Sequence, residues 1–166
     1  MAVLPIVTYP DPVLARVCAP VGSADDVSDL IDDMFETMYA APGRGLAAPQ
    51  VGVNLRLFVT DTTWKDGART PMVFVNPELV AQSRSVVEQD EGCLSIPGLL
   101  VPVSRPDWAF LSWRDGNGAP CEERFEGFAA ACVQHELDHL NGTLTLDHLP
   151  DAARADVLAG YGQALS

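Results

Sequence analysis

Positive charge is scarce in this sequence. Its 166 residues include only 10 lysines and arginines, with Lys65 the single lysine, against 23 aspartates and glutamates, so the formal net charge is −13. A surface with this balance repels phosphate backbones and anionic lipid headgroups. The composition therefore predicts neither a nucleic-acid-binding protein nor a membrane-binding protein.

Long apolar runs and closely spaced cysteine pairs are missing as well. No stretch approaches the roughly 20 apolar residues that a membrane-spanning helix needs, and Met1–Pro5 lacks the basic start of a signal peptide. The cysteines have no CxxC spacing, so we expect thiols or metal ligands rather than disulfides. They are Cys18, Cys93, Cys121 and Cys132. These absences predict a cytoplasmic location.

The N-terminal part of the chain predicts an amphipathic helix. Its apolar residues recur at helical spacing, and aspartates and glutamates fill much of the opposite face. The apolar positions are Val27, Leu30, Ile31, Met34, Phe35 and Met38. Because hydrophobic residues make up 48% of the chain, its length can supply one sizeable core, and we predict a single domain over residues 1–166.

The middle of the chain is rich in strand-like runs. They are Leu55–Thr60, Met72–Asn76, a weaker Leu79–Val87, Trp108–Trp113 and Cys121–Phe125. Asp115–Gly118 is a strong hairpin-turn sequence between the last two runs. A second helix is predicted from about Glu126 to Leu140, then an extended Leu144–Leu149 and a short helix from Pro150. This order of elements predicts an α+β fold with antiparallel sheets.

The second predicted helix carries an HExxH pattern. His135 and His139 are four residues apart, with Glu136 between them, and the chain has only three histidines. On a helix, residues i and i+4 share a face and lie about 6 Å apart along the axis. Two neutral imidazoles on one face can bind a divalent metal, and the glutamate can act as base on a metal-bound water. We therefore predict that this helix binds a metal.

A catalytic metal site of this type needs a third protein ligand. The metzincin pattern would place a histidine at the position of Thr145, and the gluzincin pattern needs a later glutamate, but none follows Glu136. Cys93 is a candidate because a thiolate binds borderline metals strongly, although a small buried cysteine is the alternative interpretation. Other possible ligands, without persuasive spacing, are Asp147, His148, Asp151 and Asp156.

Three segments taken together resemble the peptide deformylase family. Gly43–Gln50 resembles its G-φ-G-φ-A-A-x-Q loop, Glu91–Ser95 its E-G-C-L-S strand, and Gln134–His139 its Q-H-E-x-D-H helix. Tyr9–Pro12 is also typical, and the resemblance extends over roughly residues 4–149. It implies a hydrolase that removes the formyl group from the N-terminal formyl-methionine of peptides or nascent proteins, so that formyl-methionyl peptides are the expected partners.

The resemblance also implies an α+β fold in which antiparallel sheets pack around a central metal-binding HExxH helix, and it implies a metal centre on that helix. Cys93, His135 and His139 would bind one divalent metal per chain, with water at the fourth position. Glu136 would act as general base on that water and then as the acid that protonates the departing amine. The family's usual metal is Fe²⁺, and Zn²⁺, Ni²⁺ or Co²⁺ can substitute for it.

The remaining site residues are likewise implied by the resemblance. The side-chain amide of Gln50 and the backbone N–H of Leu94 would donate hydrogen bonds to the oxyanion that forms during formamide hydrolysis. The substrate would lie against the glycine loop, the segment before the cysteine and the HExxH helix. The implied substrate-binding residues are Gly43, Arg44, Gly45, Gly92, Phe128 and Cys132.

The sequence departs from the family in three places. Arg44 stands where the family generally has valine or isoleucine; it could select an acidic or extended substrate, or pair with a nearby carboxylate. Gly98–Pro102 lacks an arginine that meets the substrate backbone in many bacterial members, and the next arginine is Arg105. After Leu140 the only lysine or arginine is Arg154, so ribosome docking through a basic C-terminal helix is not expected.

These departures predict a substrate preference that differs from that of ordinary deformylases. Two alternative functions stay open from the sequence: a catalytically weak paralogue that binds formylated peptides, and a metallopeptidase.

Overall fold

Two antiparallel sheets form the framework of the computed structural model, which describes residues 2–165 and only the backbone of 162–165. The strands are β1 (Gly45–Ala47), β2 (Leu57–Thr60), β3 (Met72–Gln82), β4 (Val86–Cys93), β5 (Ile96–Pro106), β6 (Trp108–Arg114) and β7 (Pro120–Glu126). Five strands pair in the order β1-β2-β3-β6-β7, whereas β4 and β5 form a separate hairpin. Every neighbouring pair in both sheets is antiparallel.

Three α-helices lie within the described residues: α1 (Ser28–Ala40), α2 (Gly127–Leu140) and α3 (Asp151–Leu165). Short 3-10 helices occupy Pro12–Ala15, Ala48–Val51, Trp64–Asp66 and Thr145–His148. Helices combined with antiparallel sheets confirm the predicted α+β class. Of the helices described here, none has the length and apolar character needed to cross a bilayer.

Helix α2 connects the two sheets. It contacts β1, β2, β6 and β7 of the five-stranded sheet and β5 of the hairpin. Its buried apolar side chains join one core cluster with Phe58 and Phe74, whose rings stack 4.4 Å apart. The helix ends at Asn141–Gly142, where Gly142 has a φ of +74° and the Thr143 N–H donates to the Asp138 carbonyl at 2.9 Å. These contacts fix where the helix stops.

The N-terminal chain and α1 cover one side of the five-stranded sheet. Helix α1 buries Ile31, Met34 and Met38 against β1 and β2. The preceding segment is tied to α1 because the Leu4 N–H donates to Thr37 Oγ1 at 2.8 Å. This packing holds β1 against α2. Strand β1 is part of the segment Gly43–Gln50, which we call the glycine-rich loop.

The structure corrects three of the predicted elements. Met72–Asn76 and Leu79–Val87 were predicted as separate runs, but β3 continues unbroken to Gln82 and the next strand begins at Val86. A register shift beside Asn76, which has a positive φ of 50°, lets the strand continue past a proline. Leu144–Leu149 was predicted to be extended, yet it contains a 3-10 helix. Strand β5 was not predicted.

We expect Gly142→Ala to destabilise the protein by about 2–4 kcal/mol, because an added Cβ would lie 2.6 Å from the Ala15 carbonyl oxygen at a positive φ. Gly118→Ala is the matched control: its φ is +82° but nothing lies within 4 Å of its Cβ position, so it should cost only about 1 kcal/mol. Urea unfolding measures both. Equal losses would show that the contact with Ala15 does not restrain the end of α2.

Candidate active site

A cavity of about 850 Å³ lies between α2, the β4–β5 hairpin and the glycine-rich loop. The site residues predicted from the sequence, apart from His139, all line it: Gly43, Arg44, Gly45, Gln50, Gly92, Cys93, Leu94, Phe128, Cys132, His135 and Glu136. His139 is buried behind this lining, with its Nε2 atom 3.4 Å from Cys93 Sγ. Segments that are far apart in the chain therefore meet at one place.

Cys93, His135 and His139 form a candidate metal centre. One potential ligand atom from each residue lies within 4.8 Å of the others. The two histidines occupy successive turns of α2, with ring centroids 5.0 Å apart, and Cys93 is the last residue of β4. Burial lowers the pKa of His139 well below its usual value, which favours the neutral ring that metal ligation requires. Burial also acts to lower the pKa of His135, but its hydrogen bonds with Cys93 and Glu91 outweigh burial and raise that pKa. A thiolate with two imidazoles suits Zn²⁺ and other first-row transition metals.

Buried charges hold His135 in place. Its Nδ1 lies 2.9 Å from Glu91 Oε1, and donation to this carboxylate leaves Nε2 free for a metal. Arg105 donates to both oxygens of Glu91, at 2.6 and 2.9 Å, and to Asp138 at 2.9 Å. Burial alone would raise the pKa of Glu91, but the hydrogen bonds from His135 and Arg105 outweigh it and hold the pKa at about 2. Glu91 is therefore a carboxylate that orients the imidazole.

Glu136 is a buried carboxyl group beside the three candidate ligands. Its side-chain Oε1 finds no hydrogen-bond partner among the described residues. Burial raises its pKa to about 7, against the opposing charges of His135 and Arg105. A Cβ at Gly45 would lie 2.6 Å from Oε2, so only glycine leaves room for the carboxyl group there. A carboxyl group with a pKa near neutrality can both accept and return a proton.

The side-chain amide of Gln50 is oriented by the backbone. Its Oε1 accepts from the Ala47 N–H at 2.9 Å, so its Nε2 turns the other way, 3.1 Å from Ser95 Oγ and 3.7 Å from Cys93 Sγ. The Val7 N–H donates to the Gln50 carbonyl at 2.7 Å. The buried amide donor is thus set before any substrate arrives.

Leu94 lies in the turn between β4 and β5, directly after Cys93. Its side chain packs so closely on the glycine loop that a Cβ at Gly43 would lie 2.8 Å from Leu94 Cδ1. On the other side of the cavity, Cys132 Sγ lies 3.7 Å from the Arg44 carbonyl, and burial raises the pKa of this thiol well above its usual value. Cys132 is therefore a neutral lining group.

Arg44 extends across the first turn of α2. Its guanidinium carbon lies 5.0 Å from the centre of the Phe128 ring, and Nη1 donates to the Thr62 carbonyl at 3.2 Å. A carboxylate is also near, since Nη1 lies 3.8 Å from Asp66 Oδ2. The nearby carboxylate considered from the sequence is therefore present, and Arg44 also lines the cavity, so the selection of an acidic or extended substrate stays a prediction.

Arg105 has a structural role in the site that its sequence context does not indicate. It is buried and held by two carboxylates, so it is not available to anchor a substrate. Its partners Glu91 and Asp138 lie 14 and 33 positions away, a separation that no local spacing pattern reveals. The cavity is also lined by residues that were not predicted to belong to the site, including Ile6, Lys65, Gln89, Leu99 and Leu100.

The chain is similar in sequence to known peptide deformylases. A family model described as polypeptide deformylase matches residues 3–155. A peptide deformylase from Alkalilimnicola ehrlichii is 49% identical over 155 residues, which cover 93% of this chain and 86% of the relative.

Solved structures agree with this result. The crystal structure of a peptide deformylase from Legionella pneumophila has a TM-score of 0.90 at 40% identity, covering 98% of this chain and 95% of that one. The peptide deformylase from Ehrlichia chaffeensis, solved in complex with actinonin, has a TM-score of 0.92 at 38% identity, covering 99% and 98%. On this similarity of sequence and structure, the chain belongs to the polypeptide deformylase family.

Proposed function

We propose that this chain, acting as one domain, is a metal-dependent amide hydrolase that removes the formyl group from the N-terminal formyl-methionine of peptides. Its membership of the deformylase family supports both the reaction and the substrate. The observation that carries the proposal is the convergence of Cys93, His135 and His139 beside the buried carboxyl group of Glu136, in a cavity large enough for a short peptide.

The three convergent residues would hold one divalent metal, with Fe²⁺ as the proposed native ion and Zn²⁺, Ni²⁺ or Co²⁺ as substitutes. When bound, such an ion supplies Lewis acidity to a carbonyl oxygen and lowers the pKa of water. The donor set fits this role, because it combines a thiolate with two imidazoles. The unpartnered Oε1 of Glu136 next to them also fits, since it leaves an acceptor for a reacting water.

Glu136 would move the proton in the reaction. Hydrolysis forms a bond between the formyl carbon and a water oxygen and breaks the bond between that carbon and the amine nitrogen. The carboxylate takes the proton from the water and then returns it to the departing amine, which leaves formate and a free N-terminus. A pKa near 7 is suited to both transfers.

Gln50 and Leu94 would stabilise the negative charge that develops on the formyl oxygen. The amide nitrogen of Gln50 already faces the cluster because Ala47 holds its oxygen. The Leu94 N–H lies one residue after Cys93, in a tight turn. Donors set in this way do not have to reorient during the reaction, and one such donor is typically worth about 2.7–4 kcal/mol.

The reaction is tested by formate release from a short formyl-methionyl peptide, using protein loaded anaerobically with Fe²⁺ and, in parallel, with Ni²⁺. We expect release with both metals and its loss after chelation. Cleavage of an unformylated peptide instead would indicate a metallopeptidase. Binding of the formyl peptide without any release, by folded protein with one metal per chain, would contradict the proposed activity and indicate a binding paralogue.

We expect Glu136→Ala to lower kcat by about 10²–10⁴-fold, because it removes the group that moves the proton. Metal content, measured by elemental analysis, should stay at one ion per chain. Glu136→Gln keeps the size of the side chain and should lose activity similarly. Substantial turnover by either variant with metal bound would rule out Glu136 as the acid and base.

We expect Glu91→Gln to weaken metal binding by about 10–100-fold, because His135 would lose its charged hydrogen-bond acceptor. Competition with a chelator measures this affinity. Glu88→Gln is the control, since it removes the same charge from an exposed position on the same strand and should not change the affinity. Equal affinities for folded Glu91→Gln and wild-type protein would show that Glu91 does not support the metal centre.

A further inference from the structure

Positive charge lines the cavity of a protein that has little of it. The protein has 10 lysines and arginines, and two of them, Arg44 and Lys65, line this cavity. Both are at least partly exposed, and we call this pair the cationic rim. Arg105, which also carries positive charge near the site, is buried and neutralised by its carboxylate partners. Of the arginine and lysine side chains at or near the cavity, those of the cationic rim are therefore the ones that an incoming ligand can reach.

The guanidinium of Arg44 retains donors for a ligand. An arginine has five N–H donors, and Nη1 is engaged with the Thr62 carbonyl at 3.2 Å. Its intramolecular partner Asp66 is 3.8 Å away, and the side chain of Asp66 is 72% exposed. Such an exposed pair contributes little to stability. A carboxylate on a ligand can therefore compete for Arg44 with Asp66.

Aromatic contacts and one hydrogen bond hold the cationic rim in place. Phe128 lies against the guanidinium of Arg44, which leaves the in-plane N–H groups other than the one bonded to Thr62 available to a carboxylate. Lys65 lies on the short helix whose Trp64 Nε1–H donates to the Gly43 carbonyl at 2.9 Å. Both cations are thus tied to the glycine loop beside the site of reaction.

The other acidic and basic groups of the lining do not cancel this charge. Glu91 is paired with Arg105, and Glu136 is buried in the reactive centre. Asp90 is the exposed acid among the lining residues, so the lining itself presents two cations and one carboxylate. The exposed carboxylate of Asp66, which is not among the lining residues, stands beside Arg44. The lining from the start of β5 is apolar, with Leu99 and the largely exposed Leu100.

We propose that the cationic rim gives the enzyme a preference for formyl-methionyl peptides that carry an acidic side chain at the first or second residue after the methionine. This inference rests on the proposed deformylase function and names the substrate class of the same site. The formyl group must reach the centre formed by Cys93, His135 and His139, so the residues that follow methionine leave the cavity past its exposed lining. A carboxylate there meets Arg44 in place of Asp66.

The test compares peptides that differ only in charge. Formyl-Met-Glu-Ala-amide and formyl-Met-Ala-Glu-amide are each assayed against the peptide with Gln in place of Glu, and the C-terminal amide removes the terminal charge. At low salt we expect kcat/KM to be about 2–5-fold higher for Glu than for Gln at one of the two positions. The ratio should fall toward 1 in 0.5 M salt, since exposed charges are screened.

Variants identify the residue responsible. Arg44→Ile should reduce the Glu/Gln ratio to 1 or below, whereas Asp66→Asn, which removes the competing carboxylate, should raise it above the wild-type ratio. Arg84→Ile is the matched control, because it makes the same change at an exposed position outside the cavity lining, and its ratio should equal that of the wild type. If Arg44→Ile loses all turnover, the Glu/Gln ratio of Asp66→Asn tests the inference in its place.

A wild-type Glu/Gln ratio of 1 or below at both positions would overturn the inference. The inference would also be overturned if Arg44→Ile left the Glu/Gln ratio unchanged or if Asp66→Asn failed to raise it. A decrease in the ratio for Arg84→Ile as large as that for Arg44→Ile would overturn it too. Turnover of the Gln peptides separates this failure from the failure of the proposed function. If they are deformylated at rates equal to the Glu peptides, only the substrate preference is wrong; if none of the four peptides is deformylated, the function itself is wrong.

Discussion

The contact between Cys93 and the histidines of α2 is the one on which the rest of the site depends. Cys93 Sγ lies 3.4 Å from His139 Nε2, although the two residues are 46 positions apart in the chain. This contact requires the β4–β5 hairpin to lie against α2 in a single register. A slip of one residue along β4 would turn the thiol to the opposite face of the hairpin and separate it from the imidazoles.

Buried charges maintain that register while they orient the imidazole. Glu91 lies on β4, Arg105 on β5, and His135 and Asp138 on α2, so their hydrogen bonds join both strands of the hairpin to the helix. A buried charge that loses its partner is strongly unfavourable. The network therefore disfavours any arrangement in which the hairpin moves away from the helix. His148, 2.9 Å from Asp138, extends the network toward the surface.

The parts of the site that short sequence patterns encode could be predicted from the sequence. The HExxH helix, the E-G-C-L-S segment and the glycine loop are each short patterns, and the resemblance to the deformylase family that they carry was confirmed by the comparisons. The α+β class was confirmed too. The single domain, the identity of the metal and the roles of all the site residues stay predictions. These residues are the metal ligands Cys93, His135 and His139, the catalytic Glu136, Gln50 and Leu94, and the substrate-binding residues.

What could not be predicted depends on contacts between distant residues. Strand β5 was missed, and β3 was divided at Pro77 because a bulge that lets a strand pass a proline has no clear sequence signal. The structural role of Arg105 also requires three separate elements to be in place. For Arg44, the sequence showed only an unusual residue, whereas its contacts with Phe128 and Asp66 show which ligand it can bind.

The most direct test of this account is X-ray absorption spectroscopy at the metal edge of protein loaded with one equivalent of Zn²⁺. We expect one sulfur at about 2.3 Å and two imidazole nitrogens at about 2.0–2.1 Å from the zinc ion. We also expect Cys93→Ser to remove the sulfur signal. A first shell without sulfur in the wild-type protein, or one that keeps its sulfur in Cys93→Ser, would contradict the proposed convergence of the hairpin thiol and the helix histidines on one ion.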